Sequence, residues 1–285
     1  VQAAREGARR TVCQNNLYQL ALACVRHEGQ YGFVPGWRNE GPVTNGVSSW
    51  PVVLLPFVER NDAYKVLASG GSVTAAIGVF ACPSTPTDSP NTPVLAYAGS
   101  VGGGANGRRA DGVMLDTTIK TGTNSGRLNL DDVSGNDGTA TTVILSEKCG
   151  PGTATNPLTM ASWNAAVPLT TGTSVPGFSV NANMYGVFGI VGAVPSKVIN
   201  STTAASPGFY SQPSSNHSGG VVMAFCDGHT DFVRDSVRGD VYAQLLSWND
   251  DIAKSYSTNL TAPVGLGSYF SWNPTYRVLN DGDYK

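Results

Sequence analysis

The stretch QAAREGARRTVCQNNLYQLALACVRHE, residues 2–28, decides the fold. It is rich in Ala, Leu, Arg and Glu, contains no proline, and has an apolar residue every three or four positions: Cys13, Leu17, Leu20 and Cys24. This spacing predicts an amphipathic helix, which Gly29 and Gly32 are expected to end. We expect the opposite face to be wet, because it carries Arg5, Arg9, Arg10, Asn16 and Arg26.

Downstream of this helix, short β-prone runs alternate with polar loops. The dipeptide Asp227-Gly228 separates two such runs, 220–226 and 229–233, and this pattern predicts a β-hairpin. Further strands are predicted at 94–98, 141–147 and 185–191, and further helices at 50–59, 60–68 and 237–248. The predicted fold class is therefore α+β, with a long N-terminal helix packed on an antiparallel sheet that carries long loop insertions.

The composition excludes several functional classes. Charged residues make up 13% of the chain, against roughly 25% in average soluble domains. With a net charge of -2 and no basic stripe, nucleic acid is not expected as a partner. The longest apolar runs are too short to span a membrane, so we expect any membrane segment to precede Val1. The polar, Gly- and Thr-rich composition favours an exported protein.

Five cysteines leave at least one thiol unpaired. Cys13 and Cys24 are about 16 Å apart along the predicted helix, so they cannot bridge each other. Each cysteine has the alternative role of a small buried hydrophobic residue. The exported composition favours at least one disulfide.

Three histidines limit the options for a histidine-based site. His27 lies at the end of the first helix, where a cation interacts favourably with the helix dipole. His217 and His229 flank the hairpin and, with Asp227, offer metal ligands. However, the intervening strand separates His217 from the turn by roughly 30 Å, which disfavours both a shared metal and a hydrolase that uses His217 and Asp227. We expect His217 to hydrogen-bond to backbone or to a neighbouring carboxylate.

No catalytic motif is present, so the chain is not expected to be an enzyme. An acidic loop offers oxygen ligands for Ca²⁺ from Asp131, Asp132, Asn136 and Asp137. The spaced calcium-loop pattern is missing, so Asx-turn and capping roles are favoured there over a calcium cofactor.

Tryptophans supply the candidate binding surface. Trp50 and Trp248 fall on predicted helices and are expected in the core. Trp37, Trp163 and Trp272 remain as candidates for glycan contact on loops.

Seven segments, in order, resemble one known family. They are VQAAREGARRTVCQNNLYQLALA at 1–23, FVPG at 33–36, SWPVVLLPFVERNDAY at 49–64, CPS at 82–84, AYAGS at 96–100, NDGTATTVILSE at 136–147, and His217 followed after nine residues by Asp227-Gly228. Together they are similar to the planctomycete-type pilin-like proteins, which carry a prepilin leader and an H-x9-DG signature. Thr85, Cys226 and His229 depart from the usual pattern.

The resemblance implies two domains, with residues 1–30 as the C-terminal half of a pilin-type helix and residues 31–285 as an α+β head. It implies a Cys13–Cys82 disulfide, because both cysteines occupy family-typical places, and a second bridge between Cys149 and Cys226 is expected beside it.

The resemblance also implies a function. It implies a subunit anchored in the inner membrane, handled by the assembly machinery there, and self-associated through the N-terminal helix into a periplasmic or cell-surface filament. A membrane-anchored, extracytoplasmic module that binds a glycan or other solute is the alternative.

Overall fold

The chain has an α+β fold in which a long helix lies on a mainly antiparallel sheet, as expected. The computed structural model describes residues 2–41, 46–84, 93–103, 112–118, 126–148, 161–162, 187–190, 198–200, 212–249, 279 and 281–285. The predicted sites at Cys149, Trp163 and Trp272 lie outside these ranges. None of the described helices combines the length and the apolar character that a membrane crossing requires.

Helix α1 spans Gln2–Tyr31. It passes through Gly29 and ends before Gly32, whose positive φ of 78° is the left-handed geometry that glycine adopts readily. Its buried face matches the predicted stripe, extended by alanines and a histidine: Cys13, Leu17, Leu20, Ala21, Ala23, Cys24 and His27. One assignment to the wet face was wrong, because the Asn16 side chain donates to the Ala81 carbonyl at 2.9 Å.

Four short helices follow in the described ranges: α2 (Trp50–Leu54), α3 (Asn61–Ala68), α4 (Leu130–Ser134) and α5 (Gly239–Leu246). The predicted helix at 50–59 is divided, because a 3₁₀ turn, Leu55–Val58, continues α2 at Pro56. Trp50 and Trp248 are buried, which confirms their expected place in the core.

The strands are β1 (Arg38–Glu40), β2 (Val47–Ser49), β3 (Val94–Leu95), β4 (Tyr97–Gly103), β5 (Val143–Glu147), β6 (Ala161–Ser162), β7 (Val187–Ile190), β8 (Gly220–Phe225) and β9 (Thr230–Arg234). In the described ranges the main sheet has the order β7-β4-β5-β8-β9. Its pairs are antiparallel except β4 with β7, which is parallel. The predicted hairpin is confirmed as β8–β9.

Side chains of the central strands alternate between two cores. Val222 and Ala224 of β8 pack in the core that includes the buried face of α1. Val221 and Met223 pack in the other core, against α5. The sheet is therefore the middle layer between α1 and α5, and the side chains beneath α1 are shielded from water.

Candidate functional site

Four side chains that are distant in sequence meet in the buried layer between α1 and the sheet: Cys13, Cys82, Glu147 and His217. One ligand atom from each lies within 4.8 Å of the other three. In the described part of the chain this is the one group of three or more His, Cys, Asp or Glu side chains arranged closely enough to hold a metal ion.

Secondary structure places each member of this cluster. Cys13 is on the buried face of α1, and Cys82 follows the 3₁₀ turn Gly78–Phe80. Glu147 is the last residue of β5, and His217 precedes β8, the strand that pairs with β5. The antiparallel pairing therefore brings the end of one strand to the start of the other, directly below α1.

Short contacts join the cluster. The Cys82 Sγ lies 3.8 Å from Glu147 Oε1 and 3.8 Å from His217 Nε2. His217 Nε2 lies 3.1 Å from the same Oε1. The other oxygen of Glu147, Oε2, accepts a hydrogen bond of 2.8 Å from the Val222 amide. Glu147 is 0% exposed. These contacts therefore offset the free-energy cost of burying its carboxyl group away from water.

Glu6 completes the cluster from the solvent side. It lies two helical turns before Cys13, on the same face of α1. Its Oε1 is 2.6 Å from His217 Nδ1, and the Ser84 hydroxyl donates to the same carboxylate oxygen at 3.3 Å. The imidazole of His217 is thus held between two carboxylates, one from α1 and one from β5.

These contacts change the protonation of the cluster. Burial alone would lower the pKa of His217, but its contacts with Cys82, Glu147 and Glu6 raise that pKa to about 10. The hydrogen bond with His217 lowers the pKa of Glu6, whereas burial raises the pKa of Glu147. Without a metal, these shifts favour an imidazolium at His217, held between Glu6 and Glu147.

The cluster thiols lack the features of nucleophilic cysteines. The hydrogen bond with Cys82, followed by burial, raises the pKa of Cys13 far above that of an ordinary thiol. Nucleophilic cysteines have lowered pKa values and partial exposure, but Cys13 is 0% exposed and Cys82 is 3% exposed. The donor set of two sulfurs, an imidazole nitrogen and a carboxylate oxygen instead suits metal coordination.

The structure confirms that His217 bonds to a neighbouring carboxylate and corrects its surroundings. It is part of a buried cluster rather than only a marker of where the hairpin begins. Asp227 lies beyond the opposite end of β8, in the turn where Gly228 has a φ of 95°. His229 is beside it, with Nδ1 2.6 Å from Asp227 Oδ1. His217 and Asp227 are therefore not brought together.

Two disulfides are predicted from the sequence, Cys13–Cys82 and Cys149–Cys226. Cys13, Cys24, Cys82 and Cys226 are thiols in the structure. The Cys13 and Cys82 sulfur atoms lie within 4.8 Å of each other as neighbouring thiols, and a bridge between them stays a prediction. Cys226 is buried, and its expected partner Cys149 is outside the described residues.

The acidic loop, residues 131–137, has the geometry expected of helix capping, at the N-terminus of α4. Asp131 and Asp132 lie in the first turn of α4, and the Asn129 side chain accepts a hydrogen bond of 2.6 Å from the Asp132 amide. Asn136 donates to the Asp132 carbonyl at 2.7 Å and accepts from Asn249 at 2.7 Å. Asp137 follows it in the turn after α4. Calcium binding at these residues stays a prediction.

The prediction of glycan contact by exposed tryptophans was wrong at Trp37. Trp37 is 5% exposed and belongs to the core with α1, so it has no free face for a glycan. An aromatic cavity of about 310 Å³ does lie at the C-terminal end of α1, lined by Tyr31, Phe33 and Tyr64. Arg127 reaches into it, 4.7 Å from the centre of the Phe33 ring and 3.9 Å from the Glu40 carboxylate.

Sequence reasoning missed that the four cluster residues converge, although it singled out three of them separately. The signal that was present is the set of family-like segments: the first helix, CPS, NDGTATTVILSE and H-x9-DG contribute Cys13, Cys82, Glu147 and His217 in turn.

Comparison with protein-family models gives a match over most of the chain. A family model described as "Protein of unknown function (DUF1559)" matches residues 2–240, a range that includes every residue of the cluster. No curated protein and no solved structure matches the chain.

Proposed function

The chain belongs to the family described as protein of unknown function (DUF1559), and we propose that it is a non-catalytic subunit of an extracellular filament of the type IV pilus or secretion pseudopilus kind. Within that proposal, the subunit is held in the inner membrane before the assembly machinery incorporates it. It then self-associates through α1 at the cell surface or in the periplasm.

The shape of α1 carries this proposal. The helix is 30 residues long, and only one face of it packs on the head. The other face is exposed along its length, with Arg5, Arg9, Val12, Asn15 and Gln19 all exposed. We name these five residues the open face. A long helix that buries one stripe and leaves the other open can pack against copies of itself, and head-to-tail contacts of that kind generate an open filament.

The cluster chemistry supports the non-catalytic part of the proposal. Both thiols are buried and His217 is 3% exposed, so a substrate has no access to a reactive atom. Catalytic groups need to reach the reacting atoms within hydrogen-bond distance.

Two valines provide a matched test of assembly. Val12 on the open face is 49% exposed, and Val66 on α3 is 41% exposed. We expect Val12→Arg to reduce filament number on cells at least about tenfold, because a desolvated charge in a helix interface costs several kcal/mol. Val66→Arg is expected to leave filaments unchanged. Electron microscopy of cells that express the full-length protein gives the count.

The controls are expression level and thermal unfolding, which should be equal for the two variants because both side chains are exposed. Wild-type protein that stays monomeric in these cells, or equal loss of filaments in both variants, would refute the proposal.

A second function is favoured by the aromatic cavity at the end of α1: binding of a small glycan or other polar solute. The volume of about 310 Å³ is at the lower limit of small-ligand pockets. Aromatic rings together with a carboxylate and a guanidinium suit a sugar, which offers both apolar faces and hydroxyl groups.

Tyrosine variants test this second function. We expect Tyr64→Ala to weaken binding of the recognised sugar about fivefold, because a stacking contact contributes about 1 kcal/mol. Tyr18→Ala is the control, because Tyr18 is 48% exposed and does not line the cavity. Saturation-transfer NMR with a panel of neutral and acidic monosaccharides measures binding. The idea fails if no sugar binds or if Tyr18→Ala has the same effect.

A further inference from the structure

We propose that Cys13, Cys82, Glu147 and His217 form a structural Zn²⁺ site that fastens α1 to the head. Two sulfurs, one imidazole nitrogen and one carboxylate oxygen are the donor types that bind zinc with tetrahedral geometry. The site is independent of filament assembly, and either proposal can fail without the other.

The spacing of the donors fits a tetrahedron. Zinc bonds of 2.0 to 2.3 Å place neighbouring ligand atoms roughly 3.3 to 3.8 Å apart. The Cys82 Sγ is already 3.8 Å from both His217 Nε2 and Glu147 Oε1, and those two atoms are 3.1 Å apart. All four donors lie within 4.8 Å of one another, so small side-chain rotations bring them to bonding positions.

The surrounding hydrogen bonds have the arrangement of a metal site. A zinc-bound histidine usually donates its second ring N–H to a carboxylate, which fixes the tautomer and the ring orientation. Glu6 Oε1 occupies that position, 2.6 Å from His217 Nδ1. The Val222 amide holds Glu147 Oε2 at 2.8 Å. These two contacts leave Nε2 and Oε1 as the atoms that face the thiols.

Two other interpretations account for parts of the cluster. An imidazolium between Glu6 and Glu147 needs neither thiol, and a Cys13–Cys82 disulfide needs neither His217 nor Glu147. Zinc uses all four donors. Its binding releases two thiol protons and the Nε2 proton, and leaves Zn²⁺ with two thiolates, one carboxylate and a neutral imidazole.

The site is closed, which identifies its role as structural. All four ligands come from the protein, and none is more than 3% exposed. Catalytic zinc sites keep an open position for water or substrate. Because the ligands come from α1, the segment after Phe80, β5 and the segment before β8, the ion would cross-link regions that unfolding separates.

The experiment uses the protein purified with reductant, loaded with Zn²⁺ and passed through gel filtration. We expect wild-type protein to retain one equivalent of zinc by elemental mass spectrometry. Removal by a chelator is expected to lower the melting temperature by about 5 to 10 °C. Co²⁺ in place of zinc should give thiolate charge-transfer absorption and the intense visible bands of a tetrahedral ion.

Matched cysteine variants locate the ion. Cys13→Ala should lose zinc, whereas Cys24→Ala should retain it, because Cys24 is an equally buried cysteine on α1 outside the cluster. Glu6→Gln should weaken zinc binding roughly 10- to 100-fold, because Glu6 orients a ligand without being one.

The proposal is overturned if wild-type protein retains no zinc, if Cys24→Ala loses as much as Cys13→Ala, or if protein isolated without reductant carries a Cys13–Cys82 disulfide. If Cys13→Ala does not fold, the wild-type Co²⁺ spectrum decides. A spectrum without thiolate charge transfer then refutes the site.

Discussion

His27 is 4% exposed at the C-terminal end of α1, packed against the rings of Tyr31, Phe33 and Phe57. Sequence reasoning expected a cation that interacts with the helix dipole. Burial instead lowers the pKa of His27, and a contact of 3.1 Å with the Phe33 carbonyl opposes this effect only in part. The neutral imidazole is therefore the form that the fold stabilises.

This burial predicts how stability depends on pH. As the pH falls below about 6.5, the unfolded chain protonates this histidine before the folded chain does, so the free energy of unfolding decreases. We expect a decrease of at most about 2 kcal/mol between pH 7 and pH 5 from this residue. This contribution to the pH dependence should be absent in the His27→Gln variant. Urea unfolding at each pH measures it.

The groups around His27 influence how much the free energy of unfolding changes with pH. Glu40 and Arg127 line the same cavity and form an ion pair of 3.9 Å, and Tyr31 and Tyr64 line it beside them. His229→Gln is the control, because His229 is partly exposed and lies at the hairpin. If His27→Gln keeps the full wild-type pH dependence, the assignment to His27 is wrong.

At the scale of single elements, two glycines have opposite roles. Gly228 in the β8–β9 turn has a φ of 95°, and a Cβ there would contact nothing, so the requirement for glycine is a backbone requirement. Gly7 lies inside α1, where a Cβ would also contact nothing and where glycine lowers helix stability.

We therefore predict opposite signs for the same substitution. Gly228→Ala should lower the free energy of unfolding by about 1 to 2 kcal/mol, because it forces a side chain into left-handed backbone. Gly7→Ala should raise it by about 0.5 to 1 kcal/mol. Chemical denaturation of the two variants beside wild type measures both changes. Equal signs would show that one of these elements is incorrectly described.

Local patterns predicted α1 and the hairpin correctly, because a helical period and an Asp-Gly turn are properties of neighbouring residues. The parallel pairing of β4 with β7 and the strands β1 and β2 were missed. These depend on contacts between segments that are far apart in the chain, and no local period encodes such contacts.

At the scale of the whole molecule, the cluster could not be predicted for the same reason: its contacts join segments that are far apart in the chain. His217 was correctly separated from Asp227 and correctly expected to contact a carboxylate. Its partners are Glu6 on the first helix and Glu147 on β5, and only the packing of α1 across the β5–β8 pair brings them together. A single sequence contains the four donors but not their distances.

At the scale of the whole molecule, α1 is firmly packed on the rest of the described chain. The buried face of α1 contributes to the larger core and to the cluster, so that face is occupied within the subunit. Under the filament proposal, the open face is the surface that makes contacts between subunits. Attachment of one face and association through the other are compatible, because the two faces lie on opposite sides of the helix.

Whether the open face joins subunits can be measured directly by photo-cross-linking in cells. A benzophenone amino acid at position 12 reports on the open face, and one at position 66 reports on a similarly exposed site on α3. After irradiation, position 12 should give a ladder of covalent dimers and higher oligomers of this chain, and position 66 should give none. A position-12 protein that stays monomeric, while filaments are present on the same cells, would contradict assembly through α1.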